Sequence, residues 1–515
     1  MKIFKFILIS LICSFQLSIA EVVDLNWNRP EITTNCRMSF LENEKTNTEL
    51  IKIPQKPAKD FQKSFALSSF SVFRKSLKNF FSSSDENSKF FYYQTPDFFQ
   101  KPTKSFSLHS EKIPLKSRID FSFISGFDFV SSKNKNYTFL YYGGHLSGYL
   151  MKRLYFYGNW WAGHFAGNTE LAKTSPIMDG WTQTTENGEI IYLDNVSGKL
   201  SYRGKGDFWS VSVGRGKYEI GNNIGGSIIL SDDCNDYGYL SNKFDFKNFS
   251  VSFLHANLIP DSTSEFSDKK YGDKYLVVHK ISWKPNRDWE LFFGEEVIYA
   301  NRSIDMNYLL PQVFFRAVEH NLRDRDNVLI FSGANWRIFP NDLFYLNFIF
   351  DELSKSKIFT DWWGNKYAVQ LGNSLKIRQN SKFTLEFTAI RPWIYTHYIM
   401  ENKFSHDGIG LGFPAGSNLL QFASELNLQI RKNLSFDIHG SYTKQGSVGN
   451  NFLINYNSRP SDSAKWLEGD ISNVYRAKAI ITWKPLAHHK IKFGTEIKKT
   501  DEIVSLFGLS YQAEY

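Results

Sequence analysis

From Arg118 onward the chain alternates apolar and polar residues with a period of two. Ile119, Phe121 and Phe123 alternate with Arg118, Asp120 and Ser122, and Trp209, Val211 and Val213 with Ser210, Ser212 and Gly214. Tyr275, Val277, His279, Ile281 and Trp283 share one side of another segment. Successive side chains of a strand point to opposite faces, so each run predicts a strand with one apolar face. About eighteen such segments occur, near 118–129, 137–151, 153–166, 190–203, 207–216, 237–246, 248–257, 273–284, 288–299, 327–338, 342–353, 365–378, 382–391, 417–431, 433–445, 471–484, 488–499 and 502–515. In the last, Phe507, Leu509, Tyr511, Ala513 and Tyr515 oppose Gly508, Ser510, Gln512 and Glu514.

The connections are sorted by length. Short ones at 152–153, 203–207, 247, 284–288, 339–342, 378–382, 431–432 and 484–488 alternate with long ones near 167–189, 217–236, 258–272, 300–326, 392–416 and 446–470. A soluble β-sandwich has no reason to sort its loops this way. A transmembrane up-and-down antiparallel β-barrel does, with short periplasmic turns and long extracellular loops. The all-β reading has a sharp consequence. The strand ending at Tyr515 must close against the strand beginning at Arg118, with Phe507, Leu509, Tyr511 and Tyr515 toward lipid on the same side as Ile119, Phe121 and Phe123. Two hairpins echo each other: Ile281-Ser-Trp-Lys-Pro285 and Ile481-Thr-Trp-Lys-Pro485. In each, Trp is expected at the membrane interface and Pro at the turn.

Composition narrows the compartment. A short basic stretch, Met1 to Lys5, precedes an apolar run from Phe6 to Leu17 and a small-x-small site at Ser18-Ile19-Ala20. That reads as a cleavable signal peptide over 1–20. Leu11 and Ile12 before Cys13 speak against a lipoprotein. Beyond it no run of about 18 apolar residues exists, which leaves strands as the means of crossing a bilayer. Aromatics are 17% of the residues, as two interfacial girdles would require. The bacterial outer membrane is the expected location. The formal charge is +9, and the chain stays basic after Lys2 and Lys5 leave with the signal. Export argues against nucleic acid as the partner. Cys36 and Cys234 are expected to be free. Residues 21–117 form a distinct segment, in which Ala66, Phe70, Phe73, Leu77 and Phe80 make a helical stripe. A partly helical periplasmic or plug segment is expected there, followed by the barrel over 118–515.

The strand ends and loops hold the more specific sequence. Gly214-Arg215-Gly216, Gly225-Gly226 and Ile228-Ile229-Leu230-Ser231 are followed by His279, Trp283, Gly294-Glu295-Glu296-Val297-Ile298-Tyr299 and Asn301-Arg302. Tyr308-Leu309-Leu310-Pro311, Asp326-Asn327, Phe350-Asp351-Glu352, Arg391-Pro392-Trp393-Ile394-Tyr395-Thr396-His397 and Leu411-Gly412 come after. In this order the series resembles the Wzi-like capsule-assembly family of outer-membrane barrels, over roughly Arg118 to Tyr515. The resemblance implies an eighteen-stranded barrel, a periplasmic helical element and a lectin-like role that holds capsular polysaccharide at the cell surface.

No His-Glu-x-x-His, Gly-x-Ser-x-Gly or Walker-type phosphate loop occurs, so neither catalysis nor a metal or cofactor is expected. Polysaccharide binding needs aromatic faces and Arg or Asn donors. Arg302, Tyr308 and Arg316 in one loop, with Arg391, Tyr395 and His397 in another, are the candidates. A purely structural alternative pairs Arg391 with Glu295 or Glu296 as a lumenal ion pair. Glu295 and Glu296 are neighbours in a strand, so only one faces inward, where an Arg partner is expected. Trp160-Trp161 and Trp362-Trp363 are expected in a girdle or a loop core, and His488-His489 as a solvated pair at a turn. Expected partners are surface polysaccharide, outer-membrane lipid and, through the last strand, the barrel-assembly machinery, with the chain acting as a monomer. A diffusion channel or substrate-specific porin is the second functional class, and an outer-membrane hydrolase the third.

Overall fold

The computed structural model describes residues 37–39 and 118–515, apart from 152, 174, 176–189, 261–272, 353–355, 358–359 and 379. The signal peptide, Cys36 and the helical stripe at 66–80 lie outside the described residues. The alternating segments all become strands: β1 (Arg118–Ser132), β2 (Lys135–Leu150), β3 (Leu154–Gly167), β4 (Ile190–Arg203), β5 (Trp209–Glu219), β6 (Tyr237–Asp245), β7 (Phe249–Leu258), β8 (Lys274–Trp283) and β9 (Trp289–Ala300). Then follow β10 (Asn327–Phe339), β11 (Asp342–Glu352), β12 (Lys366–Arg378), β13 (Ser381–Ile390), β14 (Leu419–Arg431), β15 (Leu434–Gly446), β16 (Ile471–Leu486), β17 (His489–Lys499) and β18 (Ile503–Glu514). Each pairs antiparallel with its neighbours in sequence, giving an eighteen-stranded closed barrel.

The seam closes as expected. β18 pairs with β1 from Ile124↔Glu514 to Ser131↔Phe507. Phe123 and Tyr515 exchange backbone hydrogen bonds of 2.9 and 2.7 Å. Phe507 and Tyr515 point outward with Phe123, and Gly508, Ser510 and Gln512 point inward. Closure leaves no unpaired strand edge in hydrocarbon, where each orphan amide costs several kcal/mol.

The outer face is apolar along the whole wall: Tyr142, Val196, Val213, Leu240, Ile281, Phe293, Phe422, Ile438 and Ile497 are all exposed. At the short-turn end it carries an aromatic girdle. Trp289 stacks on Trp336 at 4.8 Å and Phe249 on Trp283 at 6.0 Å, and Trp483 is exposed at the same end on a distant part of the wall. Both echoed Trp residues, Trp283 and Trp483, therefore sit where interfacial anchors belong. Trp160 faces outward while Trp161 is buried inside the wall. His489 is not a solvated turn residue, as its ring stacks on Tyr511 and its Nδ1 lies 2.8 Å from the Tyr511 hydroxyl.

The long-loop half of the lumen is filled by the chain itself. Residues 220–236 fold inward from β5, and 391–418 fold inward from β13. Ile228, Ile229, Leu230, Ile394, Phe404 and Leu411 from these loops form one core with Leu254, Leu276, Val278, Ile298, Leu329, Phe331 and Ile349 of the inner wall, and none of them touches solvent. Inward polar side chains hold the first loop in place. Glu386 accepts from the amides of Ile224 and Gly225 at 2.9 and 3.2 Å and from the Tyr345 hydroxyl at 2.7 Å. Gln370 donates to Gly226 O and Asn347 to Asn222 O. The Tyr395 hydroxyl donates to Ile228 O at 2.6 Å and so ties the two loops together. On the opposite side, Tyr137, Phe139, Phe165, Ile191, Leu193 and Leu506 make a second inward core. A short helix, α1 (Thr169–Lys173), contributes Leu171 and Ala172 to it. Cys234 is a free thiol inside the first loop, and burial pushes it up to about 12.

Candidate functional site at the loop end

The two loops expected to carry a sugar site do different jobs. Loop 301–326, between β9 and β10, contains a one-turn 3-10 segment (Met306–Leu309) and α2 (Phe315–Asn321). Arg302 grips Asp326 through both terminal nitrogens, at 2.8 and 2.7 Å, and Asp305 through Nε at 3.1 Å. Its guanidinium lies 4.5 Å from the Tyr299 ring. Tyr308 is fully buried and donates its hydroxyl to Asp326 at 2.7 Å. Arg302 and Tyr308 are thus spent on holding their own loop. Arg316 pairs with Glu319 at 2.6 Å and stays one-third exposed.

Loop 391–418 is equally committed. Arg391 donates to the carbonyls of Asn365 and Ala464 at 3.2 and 2.8 Å. It also lies over Tyr367 and Trp466. It pairs with neither Glu295 nor Glu296, so the lumenal ion pair expected from sequence is not formed. Arg391 instead stitches three loops together through backbone carbonyls. Trp362 and Trp363 join that loop core, where Arg459 covers Trp363 at 4.0 Å.

Glu295 and Glu296 do face opposite ways. Glu296 points inward and is fully buried, but both its carboxylate oxygens are without a hydrogen-bond partner among the described residues, and no Arg meets it. Glu295 points outward with Phe293 and is covered by loop 301–326. It accepts from the amides of Phe315 and Arg316 at 2.7 and 3.0 Å and meets His279 Nε2 at 2.8 Å.

Where the two loops meet, they leave a cleft of about 260 Å³ lined by Arg316, Glu319, Asp324, Asp326, Asn327, Val328, Asp351, Glu352, His397 and Tyr398. Arg316 and His397 are the two sequence candidates brought together here, and Arg302, Tyr308, Arg391 and Tyr395 line no part of it. Its carboxylates come from two segments far apart in sequence, Glu319, Asp324 and Asp326 from loop 301–326 and Asp351 and Glu352 from the end of β11, so their convergence is not visible in the sequence. Tyr398 exposes its ring and donates its hydroxyl to Asp324 O at 2.8 Å. Lys366 sits behind the cleft and pairs with Asp351 and Glu352 at 3.5 and 3.1 Å. Burial pushes the Glu319 carboxyl up to about 8 against the pull of Arg316. Ligand atoms of Glu319, His320 and Asp324 lie within 4.8 Å of one another, but Glu319 is already engaged by Arg316 at 2.6 Å. Carboxylates beside an aromatic face suit sugar hydroxyls and ring C–H groups. The acidic lining does not suit direct contact with an acidic sugar.

Burial, then the nearby Lys366 charge, holds the His397 imidazole down at about 4. Its Nδ1 accepts from the Ile399 amide at 3.2 Å, as a neutral ring does. A His depressed below its usual value of about 6.5 stabilises the folded loop above that pH, and the contribution disappears as pH falls toward 4. Order ~3 kcal/mol of loop stability should be lost across that window. Limited proteolysis of loop 391–418 should accelerate between pH 7 and pH 4.5, and His397→Gln should flatten the profile.

No protein-family model and no curated protein matches the chain. Solved structures do. Wzi of Escherichia coli, an outer-membrane protein involved in group 1 capsule assembly and a carbohydrate-binding β-barrel, aligns with a TM-score of 0.50 at 11% identity, over 78% of this chain and 85% of that one. OccK8 (OprE) of Pseudomonas aeruginosa aligns with a TM-score of 0.45 at 8% identity, over 77% and 98%. OprD of Pseudomonas aeruginosa aligns with a TM-score of 0.42 at 9% identity, over 85% and 99%. At such identities the likeness is one of fold. The chain therefore shares the fold of an outer-membrane, eighteen-stranded antiparallel barrel.

Proposed function

We propose that this barrel holds surface polysaccharide at its loop end and conducts nothing through its lumen. One observation carries the reading. Loops 220–236 and 391–418 fill the lumen with an apolar core, while a sugar-sized cleft with an exposed tyrosine stays open between loops 301–326 and 391–418. A pore needs the reverse arrangement, with loops lifted and the lumen wet. The glycan would be gripped by several weak contacts along a repeating chain, so retention comes from avidity, and no bond is made or broken. The cleft favours neutral sugars, or the hydroxyl-rich edge of a charged one. Purified barrel should bind the polysaccharide of its own cell surface. Tyr398→Ala and Asp324→Asn should each weaken binding about tenfold, as one lost stacking or hydrogen-bonding contact is worth ~1–1.5 kcal/mol. Unchanged binding in both variants would contradict the assignment.

A second reading has its own support. The inward face of β16 and β17 is basic, with Arg476, Lys478, Lys490, Lys492 and Lys498 opposite the exposed Ile481, Phe493 and Ile497. A diffusion channel for anions would use such a wall.

A further inference from the structure

Loop 301–326 lies on the outside of the barrel. The register through β7, β8, β9 and β10 is unbroken, so residue parity reports the face. Phe249, Ile281, Phe293 and Trp336 are exposed on the outer face. Phe253, Tyr275, Val277, Val297, Tyr299 and Val328 share their parity, yet they are buried in a cluster with Tyr308 and Phe315 of the loop. The inner core uses the opposite parity. The loop therefore drapes down the wall from above.

Depth follows from the strand. Trp289 marks the short-turn girdle, and a membrane strand needs about 9–11 residues. That puts Tyr299 near the opposite interface and Glu295 about midway through the hydrocarbon. Irregular backbone at that depth persists only when its polar groups are satisfied by protein. Here the outer wall supplies the partners. Glu295 takes the amides of Phe315 and Arg316, the Tyr299 hydroxyl takes the amide of Asp305 at 3.2 Å, and His279 Nδ1 lies 3.2 Å from Pro311 O. His279 also stacks on Phe315 at 4.1 Å. Polar residues on a lipid-facing strand are thereby accounted for. They dock a flap. The flap exposes Ile304, Met306, Leu310 and Phe314, interleaved with Ser303, Asn307 and Gln312. These four apolar side chains form its crest.

We propose that loop 301–326 is a flap immersed in the outer leaflet, and that its partner is the acyl chains of that leaflet. The proposal needs that the barrel spans a bilayer; Arg316, Glu319, Asp324 and Asp326 of the same loop line the cleft, so its test reads lipid contact at the crest and not sugar binding, which keeps its failure distinct from that of the glycan reading. It is tested in the full-length protein with Cys36→Ser, reconstituted in phospholipid vesicles. Leu310→Cys and Phe314→Cys each carry a bimane label, and solvent-exposed Asp470→Cys at the loop end serves as the aqueous control. Lipids with a nitroxide on the acyl chain should quench both flap labels strongly and the control weakly, and aqueous iodide should do the opposite. Iodide quenching of the flap labels without chain quenching would overturn the proposal. So would shielding from both quenchers that disappears when protein is diluted in lipid, because the crest would then be covering a second copy. Adding Glu295→Ala should release the flap and raise iodide quenching at Leu310→Cys several-fold. If that signal does not change, the wall contacts do not dock the flap and the inference fails.

Discussion

Glu386→Leu should turn a closed barrel into a leaky one. Glu386 receives two backbone amides of loop 220–236 and the Tyr345 hydroxyl. Two effects oppose each other. Removing the carboxylate spares its desolvation when the loop docks. It also leaves the buried Tyr345 hydroxyl and two half-buried amides with no acceptor, at ~1–3 kcal/mol for a buried donor and less for a half-buried one. The second effect wins, and a net shift of ~3 kcal/mol changes the ratio of lifted to docked loop about a hundredfold. The measurable result is intermittent pore current and increased cell uptake of small polar antibiotics. Glu386→Gln, which keeps one acceptor, should lie between. Gly226→Val reaches the same loop by another route. Gly226 has φ +103°, and a Cβ there would lie 2.3 Å from Pro414 Cδ in the second in-folded loop. Both substitutions should leave barrel assembly intact, since neither touches the strand ladder.

Asp326→Ala should loosen the outer flap more than any other single change. Asp326 is buried and holds Arg302 bidentately together with the Tyr308 hydroxyl. Removing one member of a buried, hydrogen-bonded pair usually costs 3–5 kcal/mol, and Asp305 retains part of the Arg302 charge, so ~3 kcal/mol is expected. That raises local opening about a hundredfold. Trypsin should then cut after Arg302, Arg316 or Arg323 while the barrel keeps its resistance to unfolding by detergent. Asp326→Asn should be milder because its amide oxygen still accepts one bond. Equal cleavage of wild type and Asp326→Ala would place the loop's stability elsewhere.

The wall of this protein was legible because its physics is local. Period-two alternation is forced by one face in lipid, and the eighteen segments read from it match the observed strands to within about three residues. The seam was legible for the same reason, and Tyr515 meets Phe123 where the alternation put it. The loops were not legible. Their partners are distant in sequence, as with Tyr395 and Ile228 or Gly225 and Glu386. Arg302, Tyr308, Arg391 and Tyr395 have the right chemistry for sugar, but that chemistry is used for loop packing. Glu295 and Glu296 are the instructive case. Alternation puts one of them inward, and that one is Glu296, but it could not register the loop that covers Glu295 on the outer face or show that no Arg meets Glu296. The signal was present in retrospect: His255, His279 and Glu295 interrupt three adjacent outer faces at similar height.

The central claim is that the chain closes its own lumen, and single-channel recording of the purified full-length barrel in a planar bilayer tests it most directly. Membranes with inserted barrel should show no steady current, and Glu386→Leu should introduce one. A steady open-pore conductance from the wild-type protein would contradict the closed, polysaccharide-holding account and favour an anion path along β16 and β17.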